Sequence, residues 1–442
     1  MTSHASALLD RVRAADWVKR TGRVSRFVGL TVEAKGPDCR VGEICEVYSP
    51  ARAGKALAEV VGFMNESVLL MPYEHLADIE IGSEVVGTGR TAAVVVGEQM
   101  LGRVVDGFGA PLDGEPLAAM GTAVPLYPRP INPLERGMTT EILETGVRSI
   151  DTLLTLARGQ RIGIFSGAGV GKTTLLRMIA RHVQSDVAVI ALVGERGREV
   201  KAFVEKALTP EARRRTVVVA ATSDEPPLVR RRAAFLATAI AEYFRGQGLD
   251  VCLAMDSITR VAMAQREIGL ASGELPTSRG YTPSVFSLLT RLLERGGVQG
   301  SGGSLTALYT VFVDGDDLTD PIADAVRAIL DGHIVLSRTL AQRGVFPAVD
   351  VIQSVSRLMP EVVRPDDLVT AGEVVKVLAT YRSSQDLIEV GAYRAGANDE
   401  IDRAIRLLPK LEKFLSQTVQ DVESRSAALE RLRALLAARS TP

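Results

Sequence analysis

Residues 161–182, RIGIFSGAGVGKTTLLRMIARH, decide the architecture of the chain. An apolar strand pattern runs into a glycine-rich turn, and Leu175, Leu176, Ile179 and Val183 then recur at helical spacing along one face. Glycines in such a turn let consecutive backbone N–H groups converge on the α- and β-phosphates of a nucleotide, and the helix N-terminus adds its partial positive charge. Gly167, Ala168, Gly169, Val170, Gly171 and Thr174 therefore belong to a phosphate cradle. Lys172 is placed to reach the β- and γ-phosphates, and Thr173 to offer its hydroxyl to Mg²⁺. ATP and Mg²⁺ are the expected cofactors. The usual pattern G-x-x-x-x-G-K-[ST] is broken at its first position, where Ser166 stands for glycine. The cradle can form only if Ser166 keeps a negative φ.

Downstream and upstream of this turn, from about residue 145 to 357, continuous apolar runs alternate with helical patterns. Ile162 to Phe165, Val187 to Val193, Val217 to Ala221, Val251 to Met255 and Leu305 to Val313 do not alternate in polarity, the mark of a parallel sheet covered on both faces. Residues 198–208 and 229–244 carry the helical spacing between them. The fold class is α/β and doubly wound, with its ligand at the carboxyl ends of the strands.

Hydrolysis needs a second anchor for Mg²⁺, a group that aligns water and positive charge for the transition state. Asp256 closes the apolar run VCLAM and is the expected metal carboxylate. Glu195 closes VAVIALVG, where partial desolvation suits a water-polarising base, the alternative being a surface salt bridge to Arg196 or Arg198. Arg260, one helical turn after Asp256, faces the phosphates from the same edge or pairs with Asp256. Arg357 in PAVDVIQSVSR lies too far along the chain for spacing to place it, and its sharp reading is an arginine finger delivered across a subunit boundary. Lys172, Glu195, Arg196, Arg260 and Arg357 are thus the candidate catalytic residues.

Outside this core the texture changes twice. Residues 3–20 allow a short helix, and residues 22–95 show short β-branched runs broken by glycine, which predicts a small antiparallel barrel or sandwich. Residues 101–114, LGRVVDGFGAPLDG, read as a turn-rich linker, and Pro125 to Pro133 as an extended connector. Beyond Val369 strands give way to helical patterns, with Ile401, Ile405, Leu408, Leu411, Phe414 and Leu415, then Leu429, Leu432, Leu435 and Leu436, on apolar stripes. The expected division is an N-terminal helix over 1–21, a barrel over 22–95, an ATPase domain over 96–368 and a helical domain over 369–442.

The chain has 442 residues, 46% of them hydrophobic and 24% charged, with a formal net charge of −1. That balance gives no basis for nonspecific binding to nucleic acid. The basic runs Arg213 to Arg215 and Arg230 to Arg232 read as solvated helix faces. Cys39, Cys45 and Cys252 are odd in number and match no zinc spacing, so a reduced, cytoplasmic protein is expected. The apolar runs are too short to span a bilayer, and a secretory leader is not evident.

In the right order, SGAGVGKTTLL, GERGREVKAFVEKAL, VCLAMDSITRVAMAQREIGL, GYTPSVFSLLTRLLERGG, DGDDLTDPIADAVRAILDGHIVLSR and PAVDVIQSVSR resemble the α/β-type rotary ATPases of F1 kind. The resemblance is strongest to the branch serving type III protein export, and within it to the flagellum-specific ATPases. It implies a homohexamer whose subunits carry an N-terminal β-barrel, a RecA-like P-loop core and a C-terminal helical domain. Glu195 then matches the catalytic carboxylate, Lys172 and Thr173 the phosphate and Mg²⁺ residues, Asp256 the Walker B aspartate and Arg357 the finger acting in trans. Phe346 falls where relatives carry an aromatic that stacks on adenine. Implied partners are a stator-like regulator at the N-terminus, a central stalk protein, export-gate membrane proteins, and export substrates with their chaperones. The implied place is the cytoplasm, peripheral to the inner membrane through the export apparatus. Ser166 and the lack of an obvious DELSEED-like acidic run favour export over ATP synthesis, and DLIEVGAYRAGAND looks flagellar. An injectisome ATPase is the alternative within the branch. A Rho-type translocase is disfavoured by the near-neutral, aromatic-poor N-terminal region, and a nonhydrolytic regulatory subunit by the presence of all four catalytic-type residues.

Overall fold

Alternation of buried and less buried positions, as in EICEVY over Glu43–Tyr48, obliges the N-terminal strands to curl around one apolar interior. In the computed structural model, which describes residues 19–49, 54–74, 79–118, 120–128, 131–300 and 302–437, they close completely. The barrel order is Arg20–Val28, Thr31–Lys35, Ser67–Pro72, Lys55–Met64, Glu43–Tyr48 and Glu84–Thr91, the last pairing back onto the first. Val24, Val32, Ala34, Cys45, Val47, Ala58, Val60, Leu70 and Val85 fill it. Closure leaves no edge strand open to foreign pairing. The N-terminal helix expected over 1–21 falls almost wholly outside the described residues.

The nucleotide domain is built on a sheet of nine strands among the described residues. Its order is Val355–Ser356, Gly332–Val335, Arg161–Ser166, Ser304–Phe312, Asp250–Asp256, Val187–Glu195, Thr216–Thr222 and Val104–Val105, with Gly297–Val298 pairing off the path. All five apolar runs are parallel strands in this sheet. Helices cover both faces. Pro227–Gly246 packs into the core on one side, and the P-loop helix Lys172–His182 into the core on the other, which also takes in the C-terminal helices. Those are Pro365–Glu389, Asp399–Leu415 and Arg425–Ala437. Among them, Asp367 is buried between Arg425 and Arg433.

Several expectations need correction. Within the linker, Val104 and Val105 pair with Val218 and Val219 as the edge strand of the sheet, because an edge needs hydrogen bonds on one side only. Arg231 and Arg232 are not a solvated face. Arg231 forms a buried pair with Glu59 of the barrel, and Arg232 lies over the rings of Tyr73 and Phe108, so the start of Pro227–Gly246 is the seam between barrel and nucleotide domain. The proposed domain limits cut elements: 21/22 falls within Arg20–Val28, 95/96 within Ala93–Val96, and 368/369 within Pro365–Glu389. The helix cut at 368/369 begins at Pro365, at the first-turn position where proline's preset φ helps and its missing N–H costs nothing.

Candidate nucleotide site

Parallel strands bring their carboxyl ends to one edge, and there four of them meet. Arg161–Ser166, Val187–Glu195, Asp250–Asp256 and Ser304–Phe312 deliver the P-loop, Glu195, Asp256 and Phe312 to the same side. A cleft of about 510 Å³ opens there, lined by Gly167, Ala168, Gly169, Gly171, Lys172, Thr173, Thr174, Glu195, Arg196 and Arg260, with Gly194, Glu199, Ser223 and Phe312. Ser166 ends its strand without a positive φ, which meets the condition set by its replacing glycine. Gly171, at φ 104°, caps the P-loop helix in the left-handed region, where a side chain would be strained. Val170 does not line the cleft, because its side chain is buried in the core beneath the P-loop.

Lys172 Nζ lies 2.5 Å from Asp256 Oδ1 and 3.6 Å from Glu195 Oε1. Asp256, 4% exposed, also accepts from Thr310 Oγ1 at 2.7 Å. One ammonium thus sits between two carboxylates whose strands are direct neighbours in the sheet. Burial, then the Asp256 carboxylate, pushes the Glu195 pKa above its ordinary 4.5 against the pull of Lys172, and Glu199 adds to the rise. A carboxylate raised in this way is a better proton acceptor than an exposed one. The surface salt bridge to Arg196 or Arg198 is not the arrangement found, since Glu195 faces Lys172.

Asp256 and Thr173 suit Mg²⁺ in the manner of a phosphate-bound ion, which takes one hydroxyl and a carboxylate through water and completes its shell from the nucleotide. Among the described residues, no group of three or more His, Cys, Asp or Glu that could hold a metal ion is found.

The arginines divide. Arg260, on the helix Ile258–Ala271, packs its Cβ so close to Gly194 that a side chain there would come within 2.9 Å, and its exposed head lines the cleft without pairing to Asp256. Arg196 precedes the helix Gly197–Lys206 and is exposed at the cleft. Arg357 is not brought to the cleft of its own chain. It follows the antiparallel edge strand Val355–Ser356 at the level where Gly332 begins its strand, the opposite end of the sheet from the P-loop, and is exposed there, with one long 3.5 Å contact to the Arg327 carbonyl. Phe346 is 40% exposed, and its ring lies 3.6 Å from where a Cβ on Gly171 would be.

Glu199 in the cleft, and Thr310 and Arg338 just outside its lining, are given no role by the sequence. Thr310 was absorbed into an apolar run, although a hydroxyl in a buried strand demands a partner. Glu199 lies four residues after Glu195 on the first turn of a helix, a spacing that could have flagged it. Arg338, whose guanidinium donates to the Ala168 carbonyl at 3.3 Å, had no local signal.

Residues 146–356 match the nucleotide-binding domain and residues 24–89 the beta-barrel domain of the ATP synthase alpha/beta family, and residues 363–434 match the C-terminal domain of the type III secretion ATPase EscN. The chain is 52% identical to the flagellum-specific ATP synthase of Bacillus subtilis, over 96% of this chain and 98% of that protein. It is 47% identical to a type 3 secretion system ATPase of Xanthomonas euvesicatoria, over 94% of this chain and 93% of that one. Among solved structures, assembled EscN from enteropathogenic E. coli aligns with a TM-score of 0.89 at 43% identity, covering 94% of this chain and 100% of that one. EscN in complex with its central stalk EscO gives 0.86 at 42%, with the same coverage. By sequence, fold and cleft, the chain belongs to the ATP synthase alpha/beta family, among the flagellum-specific and type III secretion ATPases.

Proposed function

We propose that this chain hydrolyses Mg-ATP to power type III export of flagellar proteins, through engagement of substrates and chaperones and their entry into the export gate. The observation that carries the reading is the placement of Lys172 between Glu195 and Asp256 at the carboxyl edge of the sheet. Lys172 holds the β- and γ-phosphates, Glu195 orients and polarises the attacking water, and Arg260 and Arg196 add positive charge at the rim. Thr173 and Asp256 would hold Mg²⁺, which would supply neutralisation of charge on the phosphates. Phe346 stacks on adenine. Because Arg357 is exposed and remote from its own cleft, a complete site needs a second copy, which agrees with the assembled state of EscN. We extend to this chain a homohexamer, a central stalk partner like that of EscN, a stator-like regulator at the N-terminus and attachment to the inner membrane through export-gate proteins. No helix among the described residues is long and apolar enough to cross a membrane itself. The flagellar rather than injectisome role follows the flagellar relatives and residues 386–399; loss of needle secretion with intact filament assembly after deletion of the gene would reverse that choice.

Mixing Arg357→Ala with Lys172→Ala chains tests the shared site. Each alone is inactive, and mixed hexamers regain turnover at interfaces that pair an intact P-loop with an intact arginine. Mixed hexamers verified by mass and still without activity would refute the trans geometry.

A further inference from the structure

Gln417 lies just past the end of the helix Asp399–Leu415 and is 6% exposed. Its side-chain Oε1 accepts from the Arg148 N–H at 2.9 Å, while Nε2 donates to the carbonyls of Gly146 at 2.7 Å and Asp421 at 2.8 Å. Its own backbone N–H donates to the Phe346 carbonyl at 2.7 Å. One residue of the helical domain therefore grips both ends of the P-loop unit. Gly146 packs against His182, the last residue of the P-loop helix, so tightly that an added Cβ would fall 2.3 Å from the His182 Cβ. Phe346 stands at the other end, against Gly171. The His182 ring reinforces the joint by donating to the Val419 carbonyl at 3.1 Å.

We propose that Gln417 is a positioning residue for nucleotide binding: its side chain fixes the helical domain to the base of the P-loop helix, and its backbone thereby fixes the height of Phe346 above the P-loop. The proposal rests on the reading that Phe346 stacks on adenine. Loosening the amide frees the Phe346 anchor without touching Lys172, Glu195 or Asp256, so affinity should change while chemistry at saturation does not.

Gln417→Met keeps the length of the side chain and removes its three hydrogen bonds. The expected result is a rise in KM for ATP and in Kd for a fluorescent ATP analogue of roughly five- to thirty-fold, with kcat within about threefold of the parent. Combined with Phe346→Ala, it should weaken binding no further than Phe346→Ala alone. Gln417→Glu, as a second variant, keeps the acceptor for Arg148 but sets a carboxylate against two carbonyls. Its KM, as a ratio to the parent, should fall as pH drops and the acid regains a proton to donate. Weakened binding in Phe346→Ala with parental KM in both Gln417 variants would overturn the proposal alone. So would full additivity of the pair. Unchanged Kd in Phe346→Ala would remove the stacking contact itself, and the proposal with it.

Discussion

Replacing Glu195 by glutamine tests the carboxylate proposed to align water, apart from everything else in the cleft. The amide is isosteric, and burial together with Asp256 already biases Glu195 toward its neutral form, so the substitution removes a charge that the native fold accommodates at a cost. Lys172 loses one partner at 3.6 Å, a gross attraction of about 4–5 kcal/mol at an effective dielectric of 20. It keeps its closer partner Asp256 at 2.5 Å. Binding of the anionic phosphates should therefore be unchanged or tighter, because one negative charge has left their neighbourhood. Turnover should fall by about 10²–10⁴, the usual worth of a general base, equivalent to roughly 3–5 kcal/mol of barrier. The pH behaviour has a definite sign. A folded-state pKa raised above 4.5 contributes stability that is present below the unfolded value and lost as pH rises through the folded one, so Glu195→Gln should gain in relative stability as pH climbs above the ordinary carboxylate range. For the parent, the acid limb of kcat/KM should lie above that range for the same reason. Single-turnover phosphate release at saturating Mg-ATP, a binding titration and melting curves across pH measure all three. A kcat within about threefold of the parent would refute the assignment of Glu195 as base.

Thr310→Val removes the hydroxyl that donates to Asp256 while keeping its shape, and should cost about 1–3 kcal/mol in a denaturant melt; a loss under about 0.5 kcal/mol would mean that Lys172 alone holds Asp256 in place. At the barrel seam, Glu59→Gln and Arg231→Met each strand one partner of a buried ion pair, with an expected loss of about 3–5 kcal/mol apiece. The double variant should lose clearly less than the sum, and strict additivity in melting would show that the pair does not couple barrel to nucleotide domain.

How much of this was legible depended on whether the signal was local. The P-loop, Glu195 and Asp256 each sit at the end of a continuous apolar run, so the sequence itself announces a buried strand and the polar residue that closes it. The barrel was readable for the same reason, since alternation over short runs needs only neighbours in sequence. Val104 and Val105 were not, because two residues cannot display a period and only the far partner Val218–Val219 makes them a strand. Arg231 and Arg232 misled because the charge rule knows nothing of Glu59, 172 residues away, or of the aromatic faces of Tyr73 and Phe108. Phe346 could be given a role only by resemblance, and Arg357 could not be placed by its spacing. Their positions relative to the P-loop follow from sheet order, which spacing along the chain does not encode.

That dependence on sheet order bears directly on the shared site proposed here, because it sets the P-loop and Arg357 at opposite ends of one sheet. The strands ending in Ser166, Glu195 and Asp256 run parallel and deposit their last residues at one edge. The edge strand Val355–Ser356 runs the other way, against Gly332–His333, so the residue after it leaves the sheet at the opposite end. A guanidinium placed there cannot fold back to its own P-loop without breaking the pairing and the Arg357 N–H bond to Asp331. Reversal of a single edge strand thus directs Arg357 away from the P-loop of its own subunit and leaves it exposed, as the proposed role in trans requires. It follows that isolated chains should hydrolyse ATP poorly even with every cleft residue intact.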